Sequence, residues 1–588
     1  MIRRILRVLV CALCIAVSGA TVSNGGGTST IVNVKYIHSL IEQEWGIKLP
    51  YNAELKNPSA AANMRYLLAA IDATNSRIGT TTSYRTSEYA TGMAANVNTS
   101  VKAVRTLIKP TYHFTATTTS DTTEFNFTIS ASGAFYINWG DGTAVQKVIK
   151  PKTGAQTISH TYATAGAHDI RIGGRATGYP SVNNENSSIS FSNNTNLAQI
   201  SGSLGRIFRN VNNNKNDWSS VPTFFRTFSN CTNLSGEIPE ILFDGVPWTR
   251  VHMFNSTFWN CKKLTGSIPE KLFAGISGAP RGNAFEGTFR GCSGLTGPIP
   301  ENLFAGVSGA PTQSLFNGTF RGCSGLTGSI PENLFAGISK APAPQVFRET
   351  FSGCKNLTGE IPAGLFSGIS GAPANGMFLG VFSACSGLTG EIPSGLFAGI
   401  SGAPAPQMYR NVFYQCSGLT GEIPSGLFGT FDGAPAEYMF NATFYECTSL
   451  TGEIPANLFA GISGAPAEYM FSSTFNRCVN ITGIGGALFS GVHGVPAAGM
   501  YNGVFSTIRN LSGDIPLGLF GDLSGVPAAG MFTSAFPSPN SLTGPSARNP
   551  DGTPLYEVFP DATTEQVGGM YRGVTGLSDY ADIPAAWK

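Results

Sequence analysis

The sequence predicts a multi-domain chain: an α/β solenoid of about 12 repeats of about 31 residues, preceded by a small β-sandwich and a short helical region. Cysteines recur at one constant interval from Cys261 to Cys478, and Cys231 precedes Cys261 by nearly the same interval. Close copies of FRGCSGLTGSIPENLFAGIS, residues 320–339, recur across most of the C-terminal two thirds of the chain. A fixed period of this length predicts units that bury their apolar faces only against neighbouring units.

The composition limits the classes of partner. The chain has 588 residues, of which 12% are charged, and its net charge is +2. A nucleic-acid-binding protein normally carries a basic patch or run, and none follows the N-terminal segment, so no nucleic-acid partner is predicted. The 72 glycines and 39 phenylalanines are typical of a chain that turns often and packs aromatic side chains inside.

The N-terminal segment, 1–20, has the pattern of a cleaved signal peptide. Arg3, Arg4 and Arg7 form a basic start, an apolar stretch covers 9–17, and small residues lead to a cleavage site after Ala20. The apolar stretch is too short to cross about 30 Å of hydrocarbon. We therefore expect a secreted or cell-surface protein with no membrane span in the mature chain.

Residues 21–110 are predicted to be a helical N-terminal region. Asn57-Pro58 is a typical helix start, and Met64, Leu67 and Ile71 follow with helical spacing. Such a region suits a cap or spacer before the later domains. An oligomeric stalk and a surface that docks on an envelope partner are the alternatives.

Residues 111–180 change to the alternation of a β-strand. Phe125, Phe127 and Ile129 alternate with polar residues, and Asp141-Gly142 predicts a hairpin turn. The WGDG motif at 139–142, followed by HTYATAG, resembles the PKD-like domain, and this resemblance implies a small β-sandwich. Asp141 and His160 are expected to have structural roles in the turn. A metal or catalytic pair is the alternative, for which the sequence offers no third ligand.

Residues 188–588 carry the repeats and a C-terminal cap. In each copy, aromatic residues such as Phe316 and Phe320 lie four apart, which predicts a short helix, and LTGSI at 326–330 predicts a short strand. The unit CxxLTGxIPxxLF, preceded by TF, resembles the leucine-rich repeats of BspA-like bacterial surface proteins. That resemblance implies an α/β leucine-rich repeat solenoid and a surface-exposed module for binding or adhesion.

The nine repeat cysteines have three interpretations. Export favours disulfides, but equivalent positions in successive copies point the same way, and nine is an odd number. Single cysteines separated by a whole repeat lack the clustering of a metal site, so no metal is predicted. The pattern favours a buried, reduced structural ladder. Its members are Cys231, Cys261, Cys292, Cys323, Cys354, Cys385, Cys416, Cys447 and Cys478.

The polar residues of the predicted strand are the candidate ligand-binding site. If the Leu and Ile of LTGEIP point inward, its Thr and Glu point outward. The exposed face is predicted to comprise Thr358, Glu360, Thr389, Glu391, Thr420, Glu422, Thr451 and Glu453. This face is either an ordinary solvated surface or a strip that binds a basic or hydroxyl-rich ligand or a divalent cation. No cofactor is expected.

The predicted function is non-enzymatic. The sequence has no nucleophile elbow or zincin helix, and its six histidines are scattered. The favoured hypothesis is a protein that binds a protein or glycan ligand at a cell surface, in adhesion or host interaction. The alternative is a self-assembling surface-layer or structural component, and self-association is possible in either case.

Overall fold

The computed structural model describes residues 111–180, 186–212, 217–247, 249–536 and 541–588. The predicted signal peptide, 1–20, and helical region, 21–110, lie outside the described residues. Two compact units divide the described residues. The first unit contains the described residues up to Ile189, together with those within Gln199–Pro222 and Leu242–Val246. The second unit contains the described residues within Ser190–Ala198, Thr223–Ile241 and Pro247–Lys588.

Eight strands lie before residue 203. They are β1 (Tyr112–Thr118), β2 (Glu124–Ile129), β3 (Ser132–Asn138), β4 (Gln146–Lys150), β5 (Gln156–Thr161), β6 (Asp169–Gly178), β7 (Ile189–Ser190) and β8 (Leu197–Gly202). One sheet has the order β4-β3-β6-β1-β8 and the other β5-β2-β7. β1 pairs antiparallel with β6, β2 with β5, and β3 with both β4 and β6.

Side-chain alternation explains how β2 contributes to the core of the first unit. Phe125, Phe127 and Ile129 are buried, whereas Glu124 and Asn126 are exposed. A period of two places successive side chains on opposite faces of a strand. The ring of Phe127 lies 6.1 Å from that of Trp139, so the turn after β3 packs against β2.

The prediction of an α/β leucine-rich repeat solenoid is wrong. The described residues contain two α-helices of four residues each, α1 (Leu555–Val558) and α2 (Thr564–Val567), and both lie near the C-terminus. Two short 3₁₀ helices, Trp218–Ser220 and Ala585–Trp587, complete the helical content of these residues. Most of the regular structure is strand in small sheets, with antiparallel pairing in the two largest.

The segments predicted to be helical form successive turns. In the copy that starts at Ser314, the N–H of Thr319 bonds to the carbonyl of Phe316, but the N–H of Phe316 bonds to Val346 in the next copy, at 2.9 Å. Ser314, Gly318 and Gly322 have φ of 51°, 59° and 73°. An α-helix requires negative φ and bonds to the fourth preceding residue, so this backbone cannot be helical.

The strands of the second unit are short and pair with the next copy. They are β9 (Phe397–Gly402), β10 (Phe428–Phe431), β11 (Gly452–Ile454), β12 (Ile481–Ile484), β13 (His493–Gly494), β14 (Ser512–Asp514), β15 (Asp522–Leu523) and β16 (Ser541–Thr543). The pairs β9–β10, β11–β12, β13–β15 and β14–β16 are parallel. In other copies the pairing is a single bridge, such as Glu391 with Thr420.

Rows of stacked aromatic rings form the core of the second unit. The ring centroids of Phe285 and Phe316 are 5.8 Å apart, as are those of Phe289 and Phe320. These side chains are fully buried, as the sequence predicts. Burial of each ring contributes about 1.5–3 kcal/mol, which offsets part of the entropy lost in ordering a glycine-rich copy. Over the described residues, no helix combines the length and apolar character that crossing a bilayer requires.

Candidate functional site

The Thr–Glu rows are the eight residues Thr358, Glu360, Thr389, Glu391, Thr420, Glu422, Thr451 and Glu453. All eight are exposed. The apolar residues that flank them in each copy, such as Leu357 and Ile361, are buried. The structure therefore places every member of the predicted face at the surface, one threonine and one glutamate in each of four consecutive copies.

Backbone hydrogen bonds hold the Thr–Glu rows in register. The N–H of Thr389 donates to the carbonyl of Gly359 in the preceding copy at 2.9 Å, and the N–H of Thr420 donates to Gly390 at the same distance. Because the same bond recurs in each copy, each threonine lies directly beside its counterparts. The result is two parallel rows of hydroxyl and carboxylate groups.

A glycine beneath each glutamate shapes the acidic row. A Cβ on Gly390 would lie 2.5 Å from Cγ of Glu360, which is closer than two non-bonded carbons can approach. Gly390 also has φ of 77°, where an L-residue is strained. Glu360 therefore lies over the backbone of the next copy. The glycine that stands between Thr and Glu in each of these copies is the sequence signal for this contact.

The Thr–Glu rows contribute one carboxylate per copy. No group of three or more His, Cys, Asp or Glu side chains that could hold a metal ion occurs among the described residues. The hydroxyl of one threonine of the rows, Thr451, already has a partner, since it donates to the carbonyl of Gly421 at 3.3 Å. The exposed carboxylates are the charged groups of the rows.

All nine repeat cysteines are buried and free. Each thiol donates to a phenylalanine carbonyl of the preceding copy, as Cys323 does to Phe289 at 2.9 Å and Cys354 to Phe320 at 3.0 Å. Burial raises the pKa of Cys323 to about 12, so the thiol stays protonated and keeps its donor at neutral pH. The cysteines thus link copies through hydrogen bonds, a role that the cysteine spacing did not indicate.

A row of buried threonines also links the copies, and the sequence pattern did not predict it. The hydroxyl of Thr319 lies 2.9 Å from the carbonyl oxygen of Phe285 in the preceding copy and 3.0 Å from that of Phe316 in its own. The hydroxyls of five other threonines contact the two equivalent carbonyl oxygens, one in the preceding copy and one in their own. These are Thr257, Thr288, Thr350, Thr443 and Thr474. The signal was present in the sequence as the Thr of the TF dipeptide. A threonine among apolar residues normally has a hydrogen-bond partner.

Asp141 and His160 form a pair in the first unit. His160 Nε2 lies 2.7 Å from Asp141 Oδ2, and the His160 ring stacks on Trp139 at 4.9 Å. Burial by itself would raise the pKa of Asp141, but hydrogen bonds from Thr143 and His160 lower it well below its usual range. The pair attaches the turn after β3 to β5.

Comparison with known proteins gives no relative on which to base a function. No family model, no curated protein and no solved structure matches the chain. The resemblances to BspA-like surface proteins and to PKD-like domains therefore stay predictions.

Proposed function

We propose that this chain is a secreted or cell-surface protein that binds a protein or glycan ligand through the Thr–Glu rows and catalyses no reaction. The observation that carries this proposal is the fixed register of eight exposed polar side chains over a tightly packed aromatic core. Rigid presentation lowers the entropy that a binding surface loses when it is occupied. Evenly spaced carboxylates suit a ligand with repeated cationic or hydroxyl groups.

The test is a binding array of glycans and extracellular-matrix proteins, probed with the full chain. A variant with Glu360, Glu391, Glu422 and Glu453 all changed to Gln removes the acidic row without changing the size of the side chains. We expect this variant to lose the signal for any ligand that the rows bind. Ligands with cationic groups are expected to bind less tightly as the salt concentration rises.

The matched control changes the same number of charges elsewhere in the repeats. Glu240, Glu270, Glu301 and Glu332 are also exposed glutamates, but they lie outside the Thr–Glu rows. Changing these four to Gln is expected to leave binding intact. Equal loss of binding in both variants would show a dependence on net charge alone. Failure of the full chain to bind any probe, together with concentration-dependent light scattering, would instead indicate self-assembly.

A further inference from the structure

Three arginines lie on the turn segments of consecutive copies in the second unit. Arg290 and Arg321 occupy equivalent positions in successive copies, and Arg348 lies in the copy that follows Arg321. We call these three residues the arginine cluster. The positive charges of Arg321 and Arg348 both act on the guanidinium of Arg290, and the side chains of Arg290 and Arg321 lie side by side over Gly318.

Arg321 has an acidic partner in the next copy, whereas Arg290 does not. Nη1 of Arg321 forms an ion pair with Oε2 of Glu349, which belongs to the next copy. The residue that stands in the same relation to Arg290 is Gly318, which has no side chain. The methylene groups of Arg290 and Arg321 pass over Gly318, since a Cβ there would lie 4.0 Å from the Cδ of each. Arg290 therefore has the position of an ion-paired arginine without the acid.

The nearest carboxylate in the same copy does not replace the missing acid. Glu286 accepts hydrogen bonds from the side-chain amides of Asn255 at 2.8 Å, Asn283 at 2.6 Å and Asn317 at 3.0 Å. Three amide donors occupy both of its oxygens. Within the described residues, no hydrogen bond or ion pair to the guanidinium of Arg290 occurs.

The surroundings of Arg290 disfavour its positive charge. The Arg290 side chain is exposed, but the protein atoms that displace water along it lower its pKa, and the positive charge of Arg321 lowers it further, while Glu349 and Glu286 act in the opposite direction. An anion between Arg290 and Arg321 would relieve this repulsion. Guanidinium groups bind oxyanions through two parallel N–H donors, and this geometry is available to an arginine with no partner.

We propose that the arginine cluster binds an oxyanion carried by a ligand, and that the ligand is an acidic glycan bearing sulfate or carboxylate groups. This inference rests on the proposed ligand-binding function, but it concerns other copies of the repeat than those that carry the Thr–Glu rows. A glycan with regularly spaced acidic groups matches guanidinium groups that recur in successive copies. Arg290 is the central contact, because its donors have no internal acceptor.

The test introduces a carboxylate at position 318, where Arg290 lacks an acidic partner. Glu349 has φ of 51° and Gly318 has φ of 59°, so a glutamate is already accommodated at the equivalent position one copy later. The change Gly318→Glu is expected to pair with Arg290 and to weaken binding of a heparin-derived hexasaccharide to the full chain about tenfold. The change Glu349→Gln frees Arg321 and is expected to tighten binding. Calorimetric titration at low salt measures both effects.

The control for an added charge is Gly503→Glu. Gly503 has φ of 60° and occupies the same position in a copy far along the chain from the arginine cluster. The Gly503→Glu variant is expected to bind the hexasaccharide with the same affinity as the unchanged chain. Circular dichroism of each variant separates loss of the site from loss of the fold.

The nature of the anion is decided with three probes: the sulfated hexasaccharide, a hyaluronan hexasaccharide, which carries only carboxylates, and sodium sulfate. Weaker binding by Gly318→Glu to either oligosaccharide supports the arginine cluster and identifies the acidic group. Binding of sodium sulfate alone, with no oligosaccharide bound, overturns the glycan proposal. Equal affinities for the Gly318→Glu, Glu349→Gln and unchanged chains also overturn it. The variant lacking the four row glutamates is expected to bind the hexasaccharide normally, so the two proposals fail separately.

Discussion

The thiol of Cys323 donates to the carbonyl oxygen of Phe289 in the preceding copy, with an S···O distance of 2.9 Å. The equivalent bond recurs at each of the other eight repeat cysteines, from Cys231 with Phe191 to Cys478 with Phe444. A thiolate has no proton to donate, and charge is costly in a buried site. Every copy in this series therefore depends on a neutral thiol.

Stability is expected to fall steeply in alkaline solution. The pKa of Cys323 is raised by burial to about 12, whereas an unfolded cysteine ionises near ~8.5. The folded chain therefore keeps protons that the unfolded chain releases. The contribution is fully present below the unfolded pKa and is lost as pH rises toward the folded pKa, by about 1.4 kcal/mol per thiol per pH unit. Urea unfolding measured between pH 8 and 10 checks this slope.

The control replaces Cys323, Cys354 and Cys385 with alanine. The variant starts from a lower stability, because each change removes buried volume and a hydrogen bond. Its loss of stability per pH unit is nevertheless expected to be smaller, since three of the nine repeat thiols no longer titrate. Buried tyrosines are unchanged in this comparison. Identical slopes for the two proteins would contradict the thiol explanation.

The aromatic rows could be predicted from the sequence, but the backbone that carries them could not. A spacing of four between Phe316 and Phe320 fits one face of a helix, and it also fits turns that repeat every four residues. The distinguishing signal is the recurrence of Asn283, Gly287 and Gly291 at that same interval. Asparagine and glycine tolerate positive φ, and glycine is a poor helix former.

The exposed Thr–Glu rows could be predicted from simple alternation of apolar and polar residues. The contacts between copies could not, because they depend on which residues of successive copies meet. The stacking of Glu360 on Gly390 and the pairing of Arg321 with Glu349 are contacts of this kind. A single copy of the repeat never contains both partners of such a pair.

The buried threonine row is expected to contribute measurably to stability. The hydroxyl of Thr350 lies 3.0 Å from the carbonyl oxygen of Phe316 and 2.9 Å from that of Phe347. Thr350→Val keeps the shape and removes the donor, so it should lower the free energy of unfolding by about 1 kcal/mol. Chemical denaturation measures the change. A larger loss would indicate a packing defect, which the valine native to this position at Val381 argues against.

The reciprocal change provides the control for the threonine row. Val381 is fully buried and occupies the position that Thr350 has one copy earlier. Val381→Thr brings a hydroxyl to the carbonyl oxygen of Phe378, which accepts a hydrogen bond from the N–H of Val381 and can accept a second. We expect this change to be neutral or stabilising. Destabilisation by more than about 1 kcal/mol would show that the site cannot satisfy the hydroxyl.

The same substitution, tyrosine to phenylalanine, is expected to have opposite effects at two buried tyrosines of one aromatic row. The hydroxyl of Tyr501 donates to the carbonyl of Phe520 at 3.3 Å, whereas that of Tyr409 has no hydrogen-bond partner among the described residues. Both side chains are fully buried, and Phe378 and Phe440 flank Tyr409 in the row. Phenylalanine therefore fits at the position of Tyr409.

Tyr409→Phe is expected to raise the free energy of unfolding by about 1 kcal/mol, because it removes a buried hydroxyl that no group satisfies. Tyr501→Phe is expected to lower it by a similar amount, because the carbonyl of Phe520 loses its donor. Urea unfolding of both variants beside the unchanged chain tests this, because the two changes in the free energy of unfolding are expected to have opposite signs. Destabilisation of equal size in both would mean that the hydroxyl of Tyr409 has a partner in solution, such as a buried water.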